Sequence, residues 1–271
     1  MKRNSWWFAL VFALVFLVPA WPAQAITYGE PDNGRHPNTG ALIAEYNTPG
    51  VKEHLCTGTL IAPTVFLTAA HCTAHLESKG IPRDQIWVSF DDDVDPVTPS
   101  TRLYHGKWVT HPDYNQRQSN PADLAVVILD QPVKGVQPAR LPTSGLFDRL
   151  AAKGALKDQP FTAVGYGIRE PVTQPGGPTH PYDGGRWMAV SQFDALNDNW
   201  LRLSQNTSTG DGGTCNGDSG GPNFLGAGEN ETDIIAGVTV TGDSMCRATN
   251  VIYRLDTPSA RNFLDDYVEL P

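Results

Sequence analysis

Charged residues, basic clusters and helical periodicity are all scarce in this sequence. Only 18% of its 271 residues are charged, while it holds 26 Gly and 22 Pro. Together with frequent Val, Thr and Ile, this composition favours an all-β chain with many turns. The formal net charge is −9 and the 20 Lys and Arg are scattered, so we expect no nucleic-acid partner. The length suffices for one large domain, or two small ones, with a real core.

An apolar run long enough to span a bilayer is also missing. The longest run, Trp6 to Val18, is shorter than the about 20 residues that a spanning helix needs, which disfavours a membrane anchor. It follows Lys2 and Arg3 and precedes Ala23-Gln24-Ala25, whose small residues suit signal peptidase. We therefore predict that residues 1–25 are a secretory signal peptide and that the mature protein is extracellular, with no membrane contact.

Closely spaced cysteine pairs are missing as well. The four cysteines, Cys56, Cys72, Cys215 and Cys246, fall into two remote groups without a Cys-x-x-Cys motif, which disfavours a metal site. In the oxidising environment of a secreted protein, an even number of cysteines predicts two disulfides. Four cysteines allow three pairings, and spacing alone leaves all three open.

What the sequence does contain is a series of short apolar or alternating runs separated by turn residues. Such runs predict the strands of a β-sandwich or barrel. They lie at 41–46, 59–69, 85–90, 103–110, 124–129, 161–165, 234–241 and 251–255. A helical pattern is clear only at the end of the chain. There Thr257 can cap a helix over Pro258 to Glu269, with Pro258 in the first position.

Three polar residues stand in settings that suit nucleophilic catalysis. Hydrolysis of a peptide bond needs a nucleophile stronger than water, and a serine hydroxyl becomes one beside a histidine base. A buried carboxylate then fixes the imidazole tautomer and stabilises its protonated form. Ser219 lies in Gly217-Asp218-Ser219-Gly220-Gly221-Pro222, where glycines permit a sharp turn and let N–H groups point at a substrate oxygen. A plain Gly-Ser turn would explain the glycines but not the whole string.

His71 and Asp123 supply the base and the acid. His71 ends the apolar run Leu67-Thr68-Ala69-Ala70-His71-Cys72, beside a cysteine whose bridge can hold the backbone rigid. Asp123 precedes the apolar strand at 124–129. It is therefore drawn toward the interior, where an unpaired carboxylate is costly. Alone, the histidine reads as a structural residue and the aspartate as a strand-end cap; with Ser219 they form a catalytic triad.

These segments together resemble the trypsin/chymotrypsin family of serine proteases. The chain order His, Asp, Ser is that family's order and differs from those of subtilisins and α/β-hydrolases. Residues 109–115 resemble the segment that precedes the catalytic Asp in the family, and Gly165-Tyr166-Gly167 resembles its Gly-Trp-Gly turn. The resemblance extends from Ile26 to the terminal helix.

The resemblance implies an architecture and an activity. The fold would be all-β, with two packed antiparallel six-stranded β-barrels and a C-terminal helix. Residues 26–137 would form the first barrel, and residues 138–271 the second barrel and the helix. The activity would be that of a serine endopeptidase acting on proteins or peptides through an acyl-enzyme. Such an enzyme needs no cofactor and no metal, and we expect a monomer.

The resemblance also assigns roles within the site. The oxyanion hole would consist of the backbone N–H groups of Gly217 and Ser219. Of the three cysteine pairings, the family pattern selects two bridges, Cys56 with Cys72 and Cys215 with Cys246. The second bridge would brace the loops around the specificity pocket.

An activating ion pair is implied in the same way. Family members become active when a new N-terminal Ile or Val pairs with the Asp before the nucleophile, which is Asp218 here. Ile26-Thr27-Tyr28-Gly29 resembles the start of the mature enzymes and follows the signal-peptidase site directly. No Lys or Arg precedes it, so we expect signal peptidase itself to expose Ile26. The alternative is a five-residue propeptide, residues 21–25, removed by a second protease.

The primary pocket departs from that of trypsin. The residue six positions before the nucleophile, an Asp in trypsins, is Gly213 here, with Thr214 beside it. The pocket wall usually carries Ser-Trp-Gly, and here Val240, Thr241 and Gly242 take those places. We expect a neutral pocket that favours apolar or aromatic side chains. Two carboxylates close by in sequence, Asp211 and Asp243, keep a trypsin-like preference open.

Three further possibilities compete with these expectations. The acidic run at 91–95 could bind calcium, although a solvated turn fits its spacing better. A binding homologue without turnover usually lacks one triad member, and all three are present. An esterase would carry a Gly-x-Ser-x-Gly elbow among alternating β and α units, which this sequence does not show.

Overall fold

The computed structural model describes residues 26–271, so the predicted signal peptide lies outside the described residues. The strands are β1 (Glu30–Pro31), β2 (Thr39–Ala44), β3 (Glu53–Ala62), β4 (Val65–Thr68), β5 (Ile86–Ser89), β6 (Tyr104–Thr110), β7 (Ala125–Leu129), β8 (Pro160–Gly165), β9 (Val172–Gln174), β10 (Gly177–Thr179), β11 (Trp187–Leu196), β12 (Trp200–Ser204), β13 (Pro222–Leu225), β14 (Ile235–Gly242) and β15 (Thr249–Arg254). The α-helices are α1 (Ala70–Ser78), α2 (Leu146–Ala152) and α3 (Pro258–Leu264), and single 3-10 turns lie at Thr207–Thr209 and Gly228–Asn230. No helix within 26–271 has the length and apolar character needed to cross a bilayer.

The first six-stranded barrel closes on itself. Its antiparallel strands follow the order β2-β3-β4-β7-β6-β5, and β5 pairs back with β2. Strand β7 is apolar on both faces because each face packs against a core. Val127 points into the barrel with Phe66 and Trp108, whereas Val126 faces the second barrel. The continuous apolar run after Asp123 therefore follows from burial on both sides.

The second barrel is also a closed ring of six antiparallel strands. Its order is β8-β11-β12-β15-β14-β13, and β13 closes the ring against β8. Its interior holds Phe147, Phe161 and Ile252. The short strand β1 adds to β11 through the pair Glu30 and Met188. The start of the described chain thus packs on the second barrel, although it precedes the first barrel in sequence.

The two barrels meet through apolar side chains. Leu67 and Val126 of the first barrel share a buried cluster with Val164 and Phe224 of the second. Full burial of side chains of this kind contributes roughly 1.5–3 kcal/mol each. Both six-stranded antiparallel barrels implied by the family resemblance are confirmed.

The terminal helix is confirmed but is shorter than predicted. The Thr257 hydroxyl accepts a hydrogen bond from the Ala260 N–H at 3.4 Å, and Pro258 opens the helix. The helix ends at Leu264 rather than at Glu269. Beyond it the chain continues as a turn, in which the N–H groups of Tyr267 and Val268 both donate to the Leu264 carbonyl, at 2.9 and 3.0 Å.

Candidate active site

His71 belongs to the first turn of a helix that the sequence did not predict. Strand β4 ends at Thr68, Ala69 is extended, and α1 begins at Ala70. The disulfide between Cys56 and Cys72 joins this first turn to β3, with the two Cα atoms 6.4 Å apart. The predicted bridge is confirmed, and it fixes the backbone next to His71.

The carboxylate of Asp123 holds His71 twice. Its Oδ1 accepts the His71 backbone N–H at 2.8 Å, and its Oδ2 lies 2.9 Å from His71 Nδ1. Asp123 is 1% exposed, whereas the His71 side chain is 21% exposed. An ionised carboxylate only accepts hydrogen bonds, so this contact favours the imidazole tautomer that carries its proton on Nδ1. In that tautomer the other ring nitrogen, Nε2, carries no proton.

A strained turn orients the Asp123 carboxylate toward His71. Ala122 has φ +50°, in the left-handed region that L-residues with a Cβ rarely adopt. The turn is closed by the Leu124 N–H on the Ala122 carbonyl at 2.8 Å. The Asn120 side chain supports it by accepting the Ala122 N–H at 3.2 Å. Such strain persists only where the surroundings over-determine the backbone.

Ser219 lies in a turn that two glycines make possible. Gly217 and Gly220 have φ +99° and +80°. A Cβ built on Gly220 would lie 2.2 Å from Thr68 Oγ1, so the turn packs directly on the residues that precede α1. The Thr57 N–H donates to the Ser219 carbonyl at 2.9 Å. The half-buried Ser219 of the second barrel is thereby brought beside the His71 segment of the first.

Asp218, next to Ser219, is a buried carboxylate of a different kind. It is 0% exposed, and its two oxygens accept the N–H groups of Gly167 and Cys215, each at 2.8 Å. A Cβ on Gly165 or Gly167 would lie within 2.4 Å of its oxygens, which explains the glycines around Tyr166. Burial raises the pKa of Asp218 to about 7, against the opposing effect of the two N–H groups. Between residues 26 and 271 no Lys, Arg or His side chain contributes to this pKa.

The start of the described chain is inserted beside this carboxylate's loop. Ile26 is fully buried with Trp187 and Ala189. Thr27 pairs with Gly213, whose N–H donates to the Thr27 carbonyl at 3.0 Å. Ile26 has φ +52°, a strained value for a β-branched residue.

A cavity of about 150 Å³ opens next to Ser219. Thr214, Val240, Thr241 and Gly242, four of the five predicted pocket residues, line it. Gly213 is not part of the lining, because a Cβ there would lie 2.0 Å from Gln205 Oε1. The predicted bridge between Cys215 and Cys246 is confirmed, with Cα atoms 5.3 Å apart, and both cysteines lie in the cavity wall.

One residue behind this cavity, Gln205, was missed by sequence reasoning. Gln205 is buried, and its Oε1 accepts the Thr214 N–H at 2.9 Å, while its amide lies 3.4 Å from Asp243 Oδ1. Burial alone would raise the pKa of Asp243, but backbone N–H groups, those of Thr249 and Ala248 foremost, hold it below its usual value. Gln205 follows β12, far from the nucleophile's motif, so no local signal marked it. Asp211, also weighed as a pocket acid, instead accepts the Ser204 hydroxyl at 2.7 Å.

The chain is similar to a known protein family and to several known proteins. The family model described as Trypsin matches residues 29–264, a range that includes His71, Asp123 and Ser219. A trypsin of Saccharopolyspora erythraea is 29% identical over 220 residues, 78% of this chain and 84% of that protein.

Two animal proteins are similar over shorter shares of their own length. An ovochymase of Halocynthia roretzi is 28% identical over 204 residues, 70% of this chain but 12% of that protein. Granzyme M of Rattus norvegicus is 33% identical over 104 residues, 37% of each chain. The match thus spans a small part of the ovochymase and little more than a third of the granzyme.

Proposed function

The chain belongs to the trypsin family of serine proteases, and on that premise we propose that it is a secreted serine endopeptidase with His71, Asp123 and Ser219 as its triad. One observation carries the proposal most directly: both oxygens of the buried Asp123 are used to hold His71, one on its backbone and one on its ring. A strand-end cap would not need the ring contact. A catalytic base does, because its tautomer must be fixed.

The residues suit acyl transfer in two steps. Ser219 attacks the substrate carbonyl while His71 Nε2 takes its proton, and Asp123 stabilises the imidazolium that forms. His71 then protonates the leaving amine, and water hydrolyses the acyl-enzyme by the reverse path. The N–H groups of Gly217 and Ser219 would bind the developing oxyanion. In the described part of the chain, neither N–H is used in another hydrogen bond.

Activation follows from the buried carboxylate of Asp218. Cleavage before Ile26 would free an ammonium group at a residue that is already inserted beside the nucleophile's loop. The new charge would pair with Asp218 and offset the cost of burying its carboxylate. Cleavage would also release the strained φ of Ile26. Removal of residues 1–25 by signal peptidase, during secretion, would supply this terminus without a separate zymogen.

The pocket supports a neutral primary specificity for protein or peptide substrates. No charged side chain stands at Gly213, and the buried amide of Gln205 fills the space behind it. Asp243 lies in the wall, but its oxygens already accept the N–H groups of Met245, Arg247, Ala248 and Thr249 at 2.8 to 3.2 Å. A substrate cation would therefore find a carboxylate with little accepting capacity left.

Labelling of the secreted protein tests the proposal. N-terminal sequencing should give Ile26, an organophosphate reagent should label Ser219, and the protein should clear casein. Ser219→Ala should keep the fold and lose both labelling and cleavage. Undiminished cleavage in that variant would overturn the assignment. Labelling without cleavage of any peptide would indicate an esterase, and no labelling of a protein that starts at Ile26 would indicate a binding homologue.

A peptide library then tests the pocket. Cleavage after neutral side chains is expected. Cleavage only after Arg or Lys would show that Asp243 dominates and that the neutral assignment is wrong. Asp243→Asn separates the two cases, because it should leave a neutral preference in place and abolish a basic one.

A further inference from the structure

The side chain of Thr57 lies where the nucleophile's segment meets the first barrel. This residue belongs to β3 and is fully buried. Its hydroxyl donates to the Gly217 carbonyl at 2.9 Å and accepts the Tyr166 N–H at 3.2 Å. Its own N–H donates to the Ser219 carbonyl at 2.9 Å. Thr57 therefore holds the carbonyl groups on both sides of Asp218.

We propose that Thr57 is a positioning residue for the oxyanion hole, and that its hydroxyl fixes the peptide group between the two N–H donors. The inference rests on the proposed function of Gly217 and Ser219. It adds a side chain that the triad and the glycine motif do not include, and it gives the first barrel a part in orienting donors that belong to the second.

Three successive peptide groups determine where the two donors point. The group that carries the Gly217 N–H is held by the Ile168 N–H on the Asn216 carbonyl at 2.8 Å. The group that carries the Ser219 N–H is held by the Gly221 N–H on the Asp218 carbonyl at 2.9 Å. The middle group, which joins them, is held by Thr57 on its carbonyl side and by the Asp218 N–H on the Cys215 carbonyl at 3.1 Å.

The middle group needs this support because glycine provides little of its own. Gly217 has φ +99°, and a residue without Cβ reaches other backbone conformations at small cost. Rotation of the middle group would tilt both donors. An oxyanion hole works only when its donors are aimed in advance at the developing charge, so a loose peptide here would lower the rate without weakening ground-state binding.

The hydroxyl of Thr57 is itself oriented. It has one proton, and the Tyr166 N–H occupies an acceptor site on its oxygen. The proton is therefore directed at the Gly217 carbonyl. Its methyl group packs on the same turn, since a Cβ built on Gly221 would lie 3.0 Å from Thr57 Cγ2. Valine at position 57 would keep that packing and remove only the polar contacts.

The test uses the secreted, processed enzyme and three substitutions of Thr57. Thr57→Val should lower kcat by about 10- to 100-fold with KM changed less than about 2-fold, because it disturbs the oxyanion donors rather than removing one outright. The affinity for a peptide aldehyde, whose adduct places an oxyanion in the hole, should fall in parallel. The pH profile of kcat/KM, set by His71, should not move. Thr57→Ser should recover the rate to within about 3-fold, and Thr57→Ala provides a second hydroxyl-free variant should the valine variant not fold.

Thr59→Val is the matched control. Thr59 is another fully buried threonine of β3, and its hydroxyl has no hydrogen-bond partner in the described region. Its replacement should leave kcat and aldehyde affinity unchanged. Wild-type kcat in a folded Thr57→Val or Thr57→Ala enzyme would overturn the inference, as would a serine variant as slow as the hydroxyl-free ones. A wild-type protein that an organophosphate does not label would instead overturn the proposed function itself.

Discussion

Asp123 and Asp218 are both buried carboxylates within the site, yet their surroundings differ. Asp123 is engaged by His71, a side chain that can take up positive charge, and by the backbone of the same residue. Among residues 26–271, the hydrogen-bond donors to Asp218 are two backbone N–H groups, and burial raises its pKa to about 7. The first carboxylate is paired in the chain as it stands, whereas the second would gain its cation only from the proposed processing at Ile26.

The site therefore has two parts, one in each barrel, and different features of the chain hold each part in place. The proposed base, His71, and its acid, Asp123, belong to the first barrel and are fixed by a helix start, a disulfide and a strained turn. The proposed nucleophile and its oxyanion donors belong to the second barrel. Their order depends on Asp218, on Ile26 inserted nearby, and on Thr57 reaching across from β3. Since a buried charge without a partner is costly, we expect the proposed processing at Ile26 to act on the second part and to leave the first unchanged.

Asp123→Asn should cause the largest fall in kcat, since it breaks the pair between Asp123 and His71. An asparagine can donate to Nδ1 and thereby favour the wrong imidazole tautomer, so kcat should fall by about 10⁴-fold. Steady-state kinetics on a peptide substrate measures this loss. Asp130→Asn is a matched control, because Asp130 also pairs with a histidine, His105, at 2.5 Å on the surface. It should leave kcat within about 2-fold, as surface pairs contribute little; a fall of less than tenfold in Asp123→Asn would show that Asp123 does not orient the base.

Much of this comparison could be read from the sequence, because the relevant signals are local. The glycines around Ser219, the cysteine beside His71 and the apolar run after Asp123 each reflect a constraint within a few residues. The resemblance then supplied the cysteine pairing and the two barrels. The strands were visible because turn residues separate them.

The rest depends on contacts between distant segments. Helix α1 was missed because it is short, buries few side chains and begins directly after a strand. Its buried residues are Ala70, Cys72, Thr73 and Leu76. Gln205 acts on the pocket through the Thr214 N–H, nine positions away along a folded loop. Thr57 gains its role from Gly217 and Tyr166, which lie more than a hundred residues further on. Such pairings arise from barrel packing and leave no periodic signal.

A mature protein extended by one residue before Ile26 should show the next largest fall in kcat. The added residue moves the terminal ammonium away from Asp218. The buried carboxylate would then lack its cation and the oxyanion donors would lose their order. Loss of a single donor costs about 10²–10³-fold in kcat, and we expect a fall of this size. Ile26→Val at the true terminus keeps the ammonium and should stay within a few-fold of wild type. Full activity of the extended protein would contradict the activating pair. Asp123 should be unaffected in both proteins, so the pH profile of any residual activity should still report His71.

The smallest expected effect is a change in how the stability of the protein depends on pH, and it tests the difference between Asp218 and Asp123. In the extended protein the folded-state pKa of Asp218, about 7, lies above the ordinary pKa of an aspartate, 3.8. The folded state therefore binds this proton more tightly than the unfolded state. Its contribution to stability is fully present below about pH 4 and is lost as pH rises through 7. Between pH 5 and 8 the extended protein should lose on the order of 3 kcal/mol, at about 1.4 kcal/mol per pH unit up to the pKa.

The processed protein should not show this loss, because the Ile26 ammonium would hold Asp218 ionised. Both forms carry Ser219→Ala to prevent self-cleavage, and denaturant unfolding at each pH measures the difference. Burial would lower the pKa of His36, but its hydrogen bonds to Asp32 and Glu231 raise it, so His36 also contributes stability that is lost as pH rises. That contribution is the same in both forms and cancels in the comparison. Parallel stability curves for the two forms would show that Asp218 does not depend on the new terminus.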